Sequence, residues 1–193
     1  MRVIAGDYRG RRLRGLKGDA TRPTTDRVKE SLMSAIVSVR GSFDGAVVLD
    51  AFAGTGSLGI EALSRGATHV TFCDRSSEAQ SVIRANVEQL SLDPSRFRIA
   101  RGDVFRNVDK LSRMEYDLVF LDPPYAYSPQ EVFSLLEALD GRGALSCDAL
   151  VCYEHAKKNK SGVVDGLDAL EWTTVSLKDY GDTSVLMARK DAQ

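Results

Sequence analysis

Apolar runs alternate with stretches of helical period through most of the chain. Runs rich in branched apolar residues predict buried strands, and they cover residues 46–50, 69–74, 96–103, 116–122 and 149–155. Stretches with apolar positions three or four residues apart predict helices, and they cover residues 57–66, 76–92, 104–112 and 128–143. Ser76 or Ser77 is a candidate N-cap of the second helix, and Ser128 followed by Pro129 begins the fourth.

The pattern changes towards the end of the chain. Residues 171–190 contain two strand-like runs joined at Gly181-Asp182, which predicts an antiparallel hairpin. Strands that alternate with helices over short links predict an α/β fold, with a doubly wound and mostly parallel sheet between two layers of helices. We therefore expect a Rossmann-like sheet of seven strands whose last strand is antiparallel and lies between strands five and six. Residues 160–166 predict no element.

Residues 1–45 depart from this alternation. The stretch RVIAGDYRGRRLRGLKG (2–18) predicts a short basic hairpin, and residues 24–39 predict a helix that Thr24 or Thr25 caps. The expected organisation is an N-terminal extension over residues 1–45, made of this hairpin and helix, followed by an α/β domain over residues 46–193.

Charge is unevenly distributed along the chain. The 193 residues carry a net charge of −1, but residues 1–30 hold nine Lys and Arg against four acids, a balance of +5. The remainder therefore carries −6. A basic head on an acidic body favours a polyanionic partner for the head. The alternative is a solvated basic arm that serves solubility.

Composition also bears on location and metal chemistry. No apolar run reaches the roughly 18 residues that span a bilayer, and the first residues lack the apolar core of a secretory signal. We therefore expect a cytoplasmic protein without a membrane partner. Cys73, Cys147 and Cys152 form no C-x-x-C pair, so reduced thiols are expected, with Cys73 and Cys152 buried in strands. His69 and His155 have no second ligand at helical spacing, so no metal site is expected.

A glycine-rich stretch, DAFAGTGSLGIEAL (50–63), begins at the end of the first predicted strand. Gly54, Gly56 and Gly59 fit the G-x-G-x-x-G spacing, and Asp74 lies 20 residues beyond Gly54. This spacing is typical of a dinucleotide-binding turn, so an NAD-dependent dehydrogenase is one hypothesis.

Asp50 argues against a dinucleotide. In such a site the glycines follow the strand directly, and a helix N-terminus meets the anionic pyrophosphate. Here Asp50 ends the strand, and residues 50–53 precede the first glycine. A carboxylate at that place would repel a pyrophosphate by several kcal/mol in a partly desolvated cleft. It suits a cationic ligand instead.

Three acids, Asp50, Asp74 and Asp103, end three successive predicted strands. Ligands of such sheets bind beyond the carboxyl ends of the strands. Asp50 suits a sulfonium and an ammonium group, Asp74 can accept two ribose hydroxyls, and Asp103 can accept the amine of an adenine. S-adenosylmethionine combines these groups, and we predict that it is the ligand. For any one of the acids, the alternative is a helix N-cap.

The DPPY sequence (122–125) closes the fourth predicted strand. Two prolines remove two backbone donors and end strand pairing. The carboxylate of Asp122 and the carbonyl of Pro123 can accept from an exocyclic base amine, aiming its lone pair at a methyl group and stabilising the developing positive charge. Tyr125 can stack on the base with its ring, without need of its hydroxyl. The alternative is a proline-rich turn with a buried tyrosine.

At these residues the chain resembles the Rossmann-type methyltransferases of exocyclic amines, and in particular the bacterial RsmD family. The resemblance extends over nearly the whole chain, through RVIAGDYRGRRLR, RPTTDRVKESLMSAI, LDAFAGTGSLGIEALSRGA, LVFLDPPY and YGDTSVL. It implies a class I methyltransferase fold and S-adenosylmethionine as cofactor, with S-adenosylhomocysteine as product and no metal. The implied reaction is methylation of the N2 amine of a guanine, guanine 966, in small-subunit (16S) ribosomal RNA.

The resemblance also implies roles for individual residues. Donor binding is expected at Asp50, Phe52, Ala53, Gly54, Thr55, Gly56, Asp74, Arg75, Asp103, Val104 and Asp122. Catalysis is expected at Asp122, Pro123, Pro124 and Tyr125. RNA binding is expected at the basic residues Arg9, Arg11, Arg12, Lys17, Arg22 and Arg27. The expected partner is small-subunit ribosomal RNA or an assembling 30S subunit, bound by a monomer.

Two further hypotheses stay open at this point. The first keeps the chemistry and changes the base to adenine, methylated at N6 in DNA or RNA. Asparagine in place of Asp122 would have favoured it, so the aspartate favours guanine by analogy. The second is an RNA-binding module that retains the methyl-donor fold without turnover, against which the intact Asp122 and the three donor-site acids argue.

Overall fold

The computed structural model describes residues 1–16 and 26–191. The chain divides into two compact units, Met1–Gly102 and Asp103–Gln193. No helix within the described ranges is long and apolar enough to cross a membrane. The predicted division into residues 1–45 and 46–193 stays a prediction.

The first unit alternates helices with parallel strands. Its elements are α1 (Asp26–Arg40), β1 (Val47–Asp50), α2 (Ser57–Ser64), β2 (His69–Asp74), α3 (Ser77–Gln89), a short 3-10 helix (Pro94–Arg96) and β3 (Phe97–Arg101). The three strands lie in the order β3-β2-β1, and both neighbouring pairs are parallel. This arrangement brings the carboxyl ends of β1 and β2 to the same edge, with Asp50 opposite Phe72 in the register.

Local sequence explains the ends of these elements. Ser76 caps α3, as predicted, by accepting a hydrogen bond from the Ala79 backbone N–H. Gly59 lies in α2 against β2, where an added Cβ would come within 2.4 Å of a Phe72 ring atom. A glycine is therefore required for the close approach of this helix to the strand.

The second unit contains four strands and three helices. Its elements are a 3-10 helix (Val104–Arg106), α4 (Val108–Leu111), β4 (Tyr116–Leu121), α5 (Pro129–Asp140), β5 (Leu145–Ala156), a 3-10 helix (Lys157–Asn159), α6 (Lys160–Ala169), β6 (Thr173–Tyr180) and β7 (Thr183–Arg189). The strand order is β4-β5-β7-β6. β4 and β5 are parallel, whereas β7 is antiparallel to both β5 and β6.

The predicted architecture is confirmed in its main features. The sheet has seven strands, is mostly parallel and ends with an antiparallel last strand, β7, inserted between β5 and β6. Ser128 and Glu131 form a reciprocal capping box at the start of α5, which also begins where predicted. The hairpin turn falls at Gly181-Asp182, as expected.

Several boundaries differ from the predictions. Asp103 lies two residues beyond the end of β3 and Asp122 one residue beyond β4, so neither ends its strand. β5 begins at Leu145, earlier than the predicted residue 149, and α6 occupies the stretch for which no element was predicted. The predicted caps of α1, Thr24 and Thr25, lie outside the described residues.

The predicted basic hairpin is not a pair of regular strands. Within residues 1–16, here termed the N-terminal segment, the chain turns back on itself with one isolated antiparallel bridge between Arg2 and Arg12. Backbone hydrogen bonds from Val3 N to Arg11 O and from Gly10 N to Val3 O close the turn. The reason is that side chains of α1, α2 and α3 bind several backbone groups of this segment, which a regular hairpin would pair with one another.

Candidate active site

The glycine loop (residues 50–59) links β1 to α2. Gly54 and Gly56 have left-handed backbone angles, with φ of +53° and +78°, which residues with a Cβ rarely adopt. The Ala53 N–H donates to the carbonyl of Cys73, and the Gly56 N–H donates to the carbonyl of Ala53. These bonds hold the loop close to the end of β2.

Asp50 lies at the base of this loop. The residue is 2% exposed, and its Oδ2 accepts a hydrogen bond of 3.0 Å from the Gly59 N–H in α2. Burial raises the pKa of Asp50 to about 7, and the nearby charge of Asp74 acts in the same direction while the Gly59 bond opposes it. The direct partner of this carboxylate is therefore the backbone of α2, and its role towards a ligand stays a prediction.

Asp74 ends β2 and is half-buried. Its Oδ2 accepts from the Gly54 N–H at 2.8 Å, and its Oδ1 accepts from the Ser76 N–H at 2.8 Å. Each carboxylate oxygen can accept more than one hydrogen bond. Asp74 can therefore fix the glycine loop and still receive hydroxyl donors, which is the chemistry that a ribose diol requires.

The other predicted donor residues of the first unit are close to these acids in the sequence. Ala53 is buried, Phe52 is half-buried and Arg75 is exposed. The hydroxyl of half-buried Thr55 donates to the sulfur of Met1 at 3.3 Å. The N-terminal segment thus contacts the glycine loop.

Buried side chains of the helices anchor the N-terminal segment. The Glu61 carboxylate, on α2, accepts from the Ile4 N–H at 2.8 Å and from the Ala5 N–H at 3.0 Å. The Lys29 ammonium, on α1, donates to the Arg2 carbonyl at 2.7 Å. Side chains thus satisfy backbone groups that a strand would pair with another strand.

Lys29 and Glu61 form a buried ion pair. Their charged atoms are 3.5 Å apart, and their side chains are 1% and 0% exposed. Arg65 adds a second partner for Glu61, with its Nε 2.9 Å from the Glu61 Oε1. Burial lowers the pKa of Lys29, and the charge of Glu61 opposes this shift. The pair therefore places two opposite charges in the interior, where both side chains also bind the backbone of the N-terminal segment.

Asn86, on α3, is a further anchor and is fully buried. Its Oδ1 accepts from the Arg14 N–H at 2.7 Å. Its amide donates to the Arg14 carbonyl at 3.2 Å and to the Thr55 carbonyl at 3.0 Å. One buried amide thus joins the N-terminal segment to the glycine loop.

The predicted RNA-binding residues that the structure describes lie at the surface. Arg9, Arg11, Arg12 and Arg27 are exposed, and the Arg11 guanidinium donates to the carbonyl of Gln89 at 3.2 Å. The other two predicted residues, Lys17 and Arg22, lie outside the described residues.

Asp103 begins the second unit and serves as an N-cap. Its Oδ1 accepts from the Phe105 N–H at 2.9 Å, at the start of the 3-10 helix Val104–Arg106. Val104 is buried, and Asp103 is half-buried. The cap that the sequence offered as an alternative is therefore present for this acid, and its role towards an adenine stays a prediction.

The DPPY turn (residues 122–127) follows β4. Asp122 is half-buried, Pro123 is buried and Pro124 is exposed. The Tyr127 N–H donates to the Pro124 carbonyl at 3.0 Å, which closes the turn. The Tyr127 ring packs at 5.1 Å from the ring of Phe105.

Tyr125 projects from this turn with 53% of its surface exposed. The alternative of a buried tyrosine is therefore wrong. The Tyr125 hydroxyl lies 3.2 Å from the Thr183 Oγ1. An exposed aromatic ring with a fixed tip offers a face on which a planar base can stack.

Sequence reasoning missed Lys29, Glu61, Asn86 and Thr183. A signal existed for two of them. Glu61 stands among apolar residues in SLGIEAL, and Asn86 shares a helical face with Ile83 and Val87. A polar residue on an apolar face is buried with a partner. The partner itself depends on the tertiary fold.

Metal-binding residues do not cluster in the ranges that the structure covers, where no group of three or more His, Cys, Asp or Glu could hold an ion. Cys73 and Cys152 are buried free thiols, as predicted, whereas Cys147 is exposed. Burial raises the pKa of Cys152, so this thiol is inert at neutral pH.

Comparison with known proteins gives consistent matches over the full chain. The profile of a family described as "Conserved hypothetical protein 95" matches residues 1–189. The putative rRNA methyltransferase YlbH of Bacillus subtilis is 40% identical over 160 residues, which are 82% of this chain and 84% of that protein. The ribosomal RNA small subunit methyltransferase D of Haemophilus influenzae is 32% identical over 188 residues, 95% and 91% of the two chains.

A solved structure also matches this chain over its full length. The putative methyltransferase yhhF from Escherichia coli superposes with a TM-score of 0.80 at 29% sequence identity, covering 100% of this chain and 99% of that one. The fold is therefore that of the structurally characterised methyltransferases.

Proposed function

The chain belongs to the family described as "Conserved hypothetical protein 95", the RsmD family, and from this premise we propose that it transfers a methyl group from S-adenosylmethionine to the N2 amine of a guanine in small-subunit ribosomal RNA. The observation that carries the proposal is the DPPY turn, which directly follows a buried strand and presents the exposed ring of Tyr125. By the family resemblance, the nucleotide is guanine 966.

The glycine loop suits the donor. An added Cβ at Gly54 would meet no atom within 4 Å, so the loop leaves open space there, and Asp74 has acceptor capacity for hydroxyls beyond its two backbone bonds. The proposed donor residues are Asp50, Phe52, Ala53, Gly54, Thr55, Gly56, Asp74 and Arg75 in the first unit, and Asp103, Val104 and Asp122 in the second. When bound, S-adenosylmethionine supplies an electrophilic methyl group.

The residues of the DPPY turn prepare the amine. An exocyclic amine is a weak nucleophile, since its lone pair is delocalised into the ring. Asp122 and the Pro123 carbonyl accept hydrogen bonds from the two N–H groups of the amine. These bonds favour a pyramidal nitrogen and stabilise the positive charge that develops there. The methylated amine is acidic, and its proton passes to water or through Asp122. Tyr125 holds the base by stacking after it has left its own stack.

RNA binding is proposed for the exposed arginines of the N-terminal segment. Arg9, Arg11 and Arg12 lie within four residues and are exposed, so they can contact consecutive phosphates, which position RNA without specifying its sequence. The proposed substrate is small-subunit RNA, free or in an assembling subunit, and the proposed form is a cytoplasmic monomer.

Transfer of labelled methyl groups to small-subunit RNA, followed by nucleoside analysis, tests the reaction. N2-methylguanosine is the expected product. N6-methyladenosine would favour the adenine alternative, and the absence of any methylated base would favour the binding module.

Calorimetry tests the donor site separately. Asp74→Ala removes a carboxylate acceptor from the ribose, so donor binding should weaken by roughly 1.5–3 kcal/mol. Unchanged donor affinity in this variant would contradict the role of Asp74.

A further inference from the structure

The last hairpin contains a residue that acts on the DPPY turn. Tyr125 lies in the turn after β4, and Thr183 begins β7, far along the chain. Their hydroxyl oxygens are 3.2 Å apart, and either can be the donor. This hydrogen bond joins the most exposed aromatic ring of the candidate site to a strand inside the sheet.

The two partners of this bond differ in burial and in backbone pairing. Thr183 is 6% exposed and lies on a strand that pairs on both sides, opposite Ala156 of β5 and Tyr180 of β6. The preceding residue is also held, since the Lys157 N–H donates to the Asp182 carbonyl at 2.8 Å. Thr183 is therefore a fixed point. Tyr125, 53% exposed on a turn, would rotate freely about its side-chain torsions without this anchor.

We propose that Thr183 is a positioning residue, which holds the Tyr125 ring in one orientation so that the target base meets a preformed stacking face. The inference rests on the proposed function, because the base is the partner of the ring. Ordering a side chain on binding lowers affinity, and a ring that is already ordered avoids this loss. The Tyr125 hydroxyl then has a role that stacking alone did not predict.

The inference gives the YGDTSVL motif (180–186) a function. Tyr180, Gly181 and Asp182 make the hairpin turn, and Thr183 is the first residue after it. The turn sets where β7 begins, and thereby where the Thr183 hydroxyl stands. The motif thus serves the DPPY turn as well as the sheet.

A double-mutant cycle tests this role. Thr183→Val keeps the shape and removes the hydroxyl, and Tyr125→Phe removes the other partner while leaving the ring. Loss of one hydrogen bond should raise the KM for RNA by roughly twofold to tenfold in each variant, with a smaller effect on kcat and none on donor affinity. The double variant should be no worse than either single one, since the bond can be lost only once.

Matched variants separate positioning from structure. Thr183→Ser keeps a hydroxyl and should recover most of the RNA affinity that Thr183→Val loses. Thr174→Val removes a threonine hydroxyl at the other end of the neighbouring strand β6, so it controls for any general effect on the sheet. The inference would be overturned if the increases in KM of the two single variants multiplied in the double variant, or if Thr183→Val had the KM of the wild type.

The double-mutant cycle can also be measured as RNA affinity in the presence of S-adenosylhomocysteine, without methyl transfer. This measurement tests the positioning role separately from the proposed reaction. RNA binding without methylation of guanine would contradict the proposed reaction. The cycle of RNA affinities would still show whether Thr183 positions Tyr125. Methylation of guanine with independent effects of the two hydroxyls would defeat only the positioning role.

Discussion

The glycine loop and the DPPY turn are built in different ways. In the glycine loop the acids are engaged with backbone: Asp50 accepts from Gly59, and Asp74 accepts from Gly54 and Ser76. In the DPPY turn the chain is stiffened by two proline rings and closed by the bond from the Tyr127 N–H to the Pro124 carbonyl, and the exposed Tyr125 contacts Thr183 through its hydroxyl. The first region is fixed by carboxyl groups that accept hydrogen bonds from backbone N–H groups, and the second by its proline rings and by contacts within the second unit.

The difference separates two kinds of mutational effect. A residue that is buried and bonded to backbone supports the fold as well as a ligand, so its replacement lowers stability. A residue on a turn outside the strands supports less of the fold, so its replacement should change the reaction more than the stability. The following variants test whether the two regions separate in this way.

Glu61→Gln should have the largest effect on stability. The change removes the charge that pairs with buried Lys29 and that anchors the N-terminal segment beside the glycine loop. Breaking a buried ion pair costs roughly 3–5 kcal/mol of unfolding free energy, which denaturant titration measures. Asp109→Asn is the control, because its pair with Arg142 is exposed and should contribute less than about 1 kcal/mol. Equal losses in both variants would contradict the comparison.

Asp122→Ala should leave the fold intact and slow the reaction. Removing one fixed acceptor of a developing charge lowers methyl transfer by roughly 10²–10³-fold. Donor affinity should fall far less than the rate of methyl transfer, and the denaturation midpoint should change little, since Asp122 lies beyond the end of β4 on the DPPY turn. Rates under single-turnover conditions measure the effect. A parallel fall in stability would place Asp122 with the glycine loop instead.

Much of the fold could be predicted from the sequence, because apolar periodicity reports burial. β2 occupies residues 69–74 as predicted, and the hairpin turn was marked by Gly181-Asp182. α6 could not be predicted, since its glycines oppose helix formation. Tertiary packing explains one of them: an added Cβ at Gly166 would come within 2.3 Å of the Phe133 ring. The helix approaches Phe133 closely only because glycine is there.

The candidate site was predictable in its residues but not in their partners. Acids after strands pointed to Asp50 and Asp74, which do end β1 and β2. Their hydrogen bonds depend on where the glycine loop places its N–H groups: Gly54, which has a left-handed backbone, donates to Asp74, and Gly59 donates to Asp50. Such a turn is set by the loop as a whole. The contact between Tyr125 and Thr183 was beyond sequence reasoning for a similar reason, since it depends on strand register.

Asp50 should make stability depend on pH. Its pKa is raised from 3.8 to about 7 by burial, so the folded protein binds a proton that the unfolded chain releases. This contribution to stability is complete below about pH 4 and is lost as the pH rises through about 7, at up to about 1.4 kcal/mol per pH unit. Asp50→Asn keeps an acceptor for Gly59 and should flatten the profile of unfolding free energy between about pH 4 and 7 in denaturant titrations without donor.

The difference in stability between Asp50→Asn and wild type should change with pH in one direction, which measurements at low and high pH can check. Relative to wild type, Asp50→Asn should gain stability as the pH rises, because the wild-type carboxylate becomes charged in the interior. A pH-independent difference between the two proteins would mean that Asp50 is charged in the folded state throughout. The glycine loop would then hold a buried anion at every pH even without the donor.

The smallest expected effect concerns the exposed arginines of the N-terminal segment. Arg9, Arg11 and Arg12 lie on a segment whose backbone is fixed by Glu61 and Asn86, but their side chains are at the surface. Replacing all three with glutamine should therefore leave stability and donor binding unchanged. It should weaken RNA binding roughly tenfold and reduce the slope of log affinity against log salt by about 2, since each phosphate contact contributes about 0.7.

The control for this variant removes the same charge elsewhere. Arg101, Arg106 and Arg113 are also exposed, so their replacement by glutamine changes the net charge equally without touching the N-terminal segment. A general electrostatic attraction would weaken both triple variants alike, whereas local phosphate contacts would weaken only the first. Because the backbone of the segment is tied to the glycine loop through Asn86, a loss of donor affinity in the first variant would show that its surface and its anchors act together, and the separation of surface from interior would fail at this point.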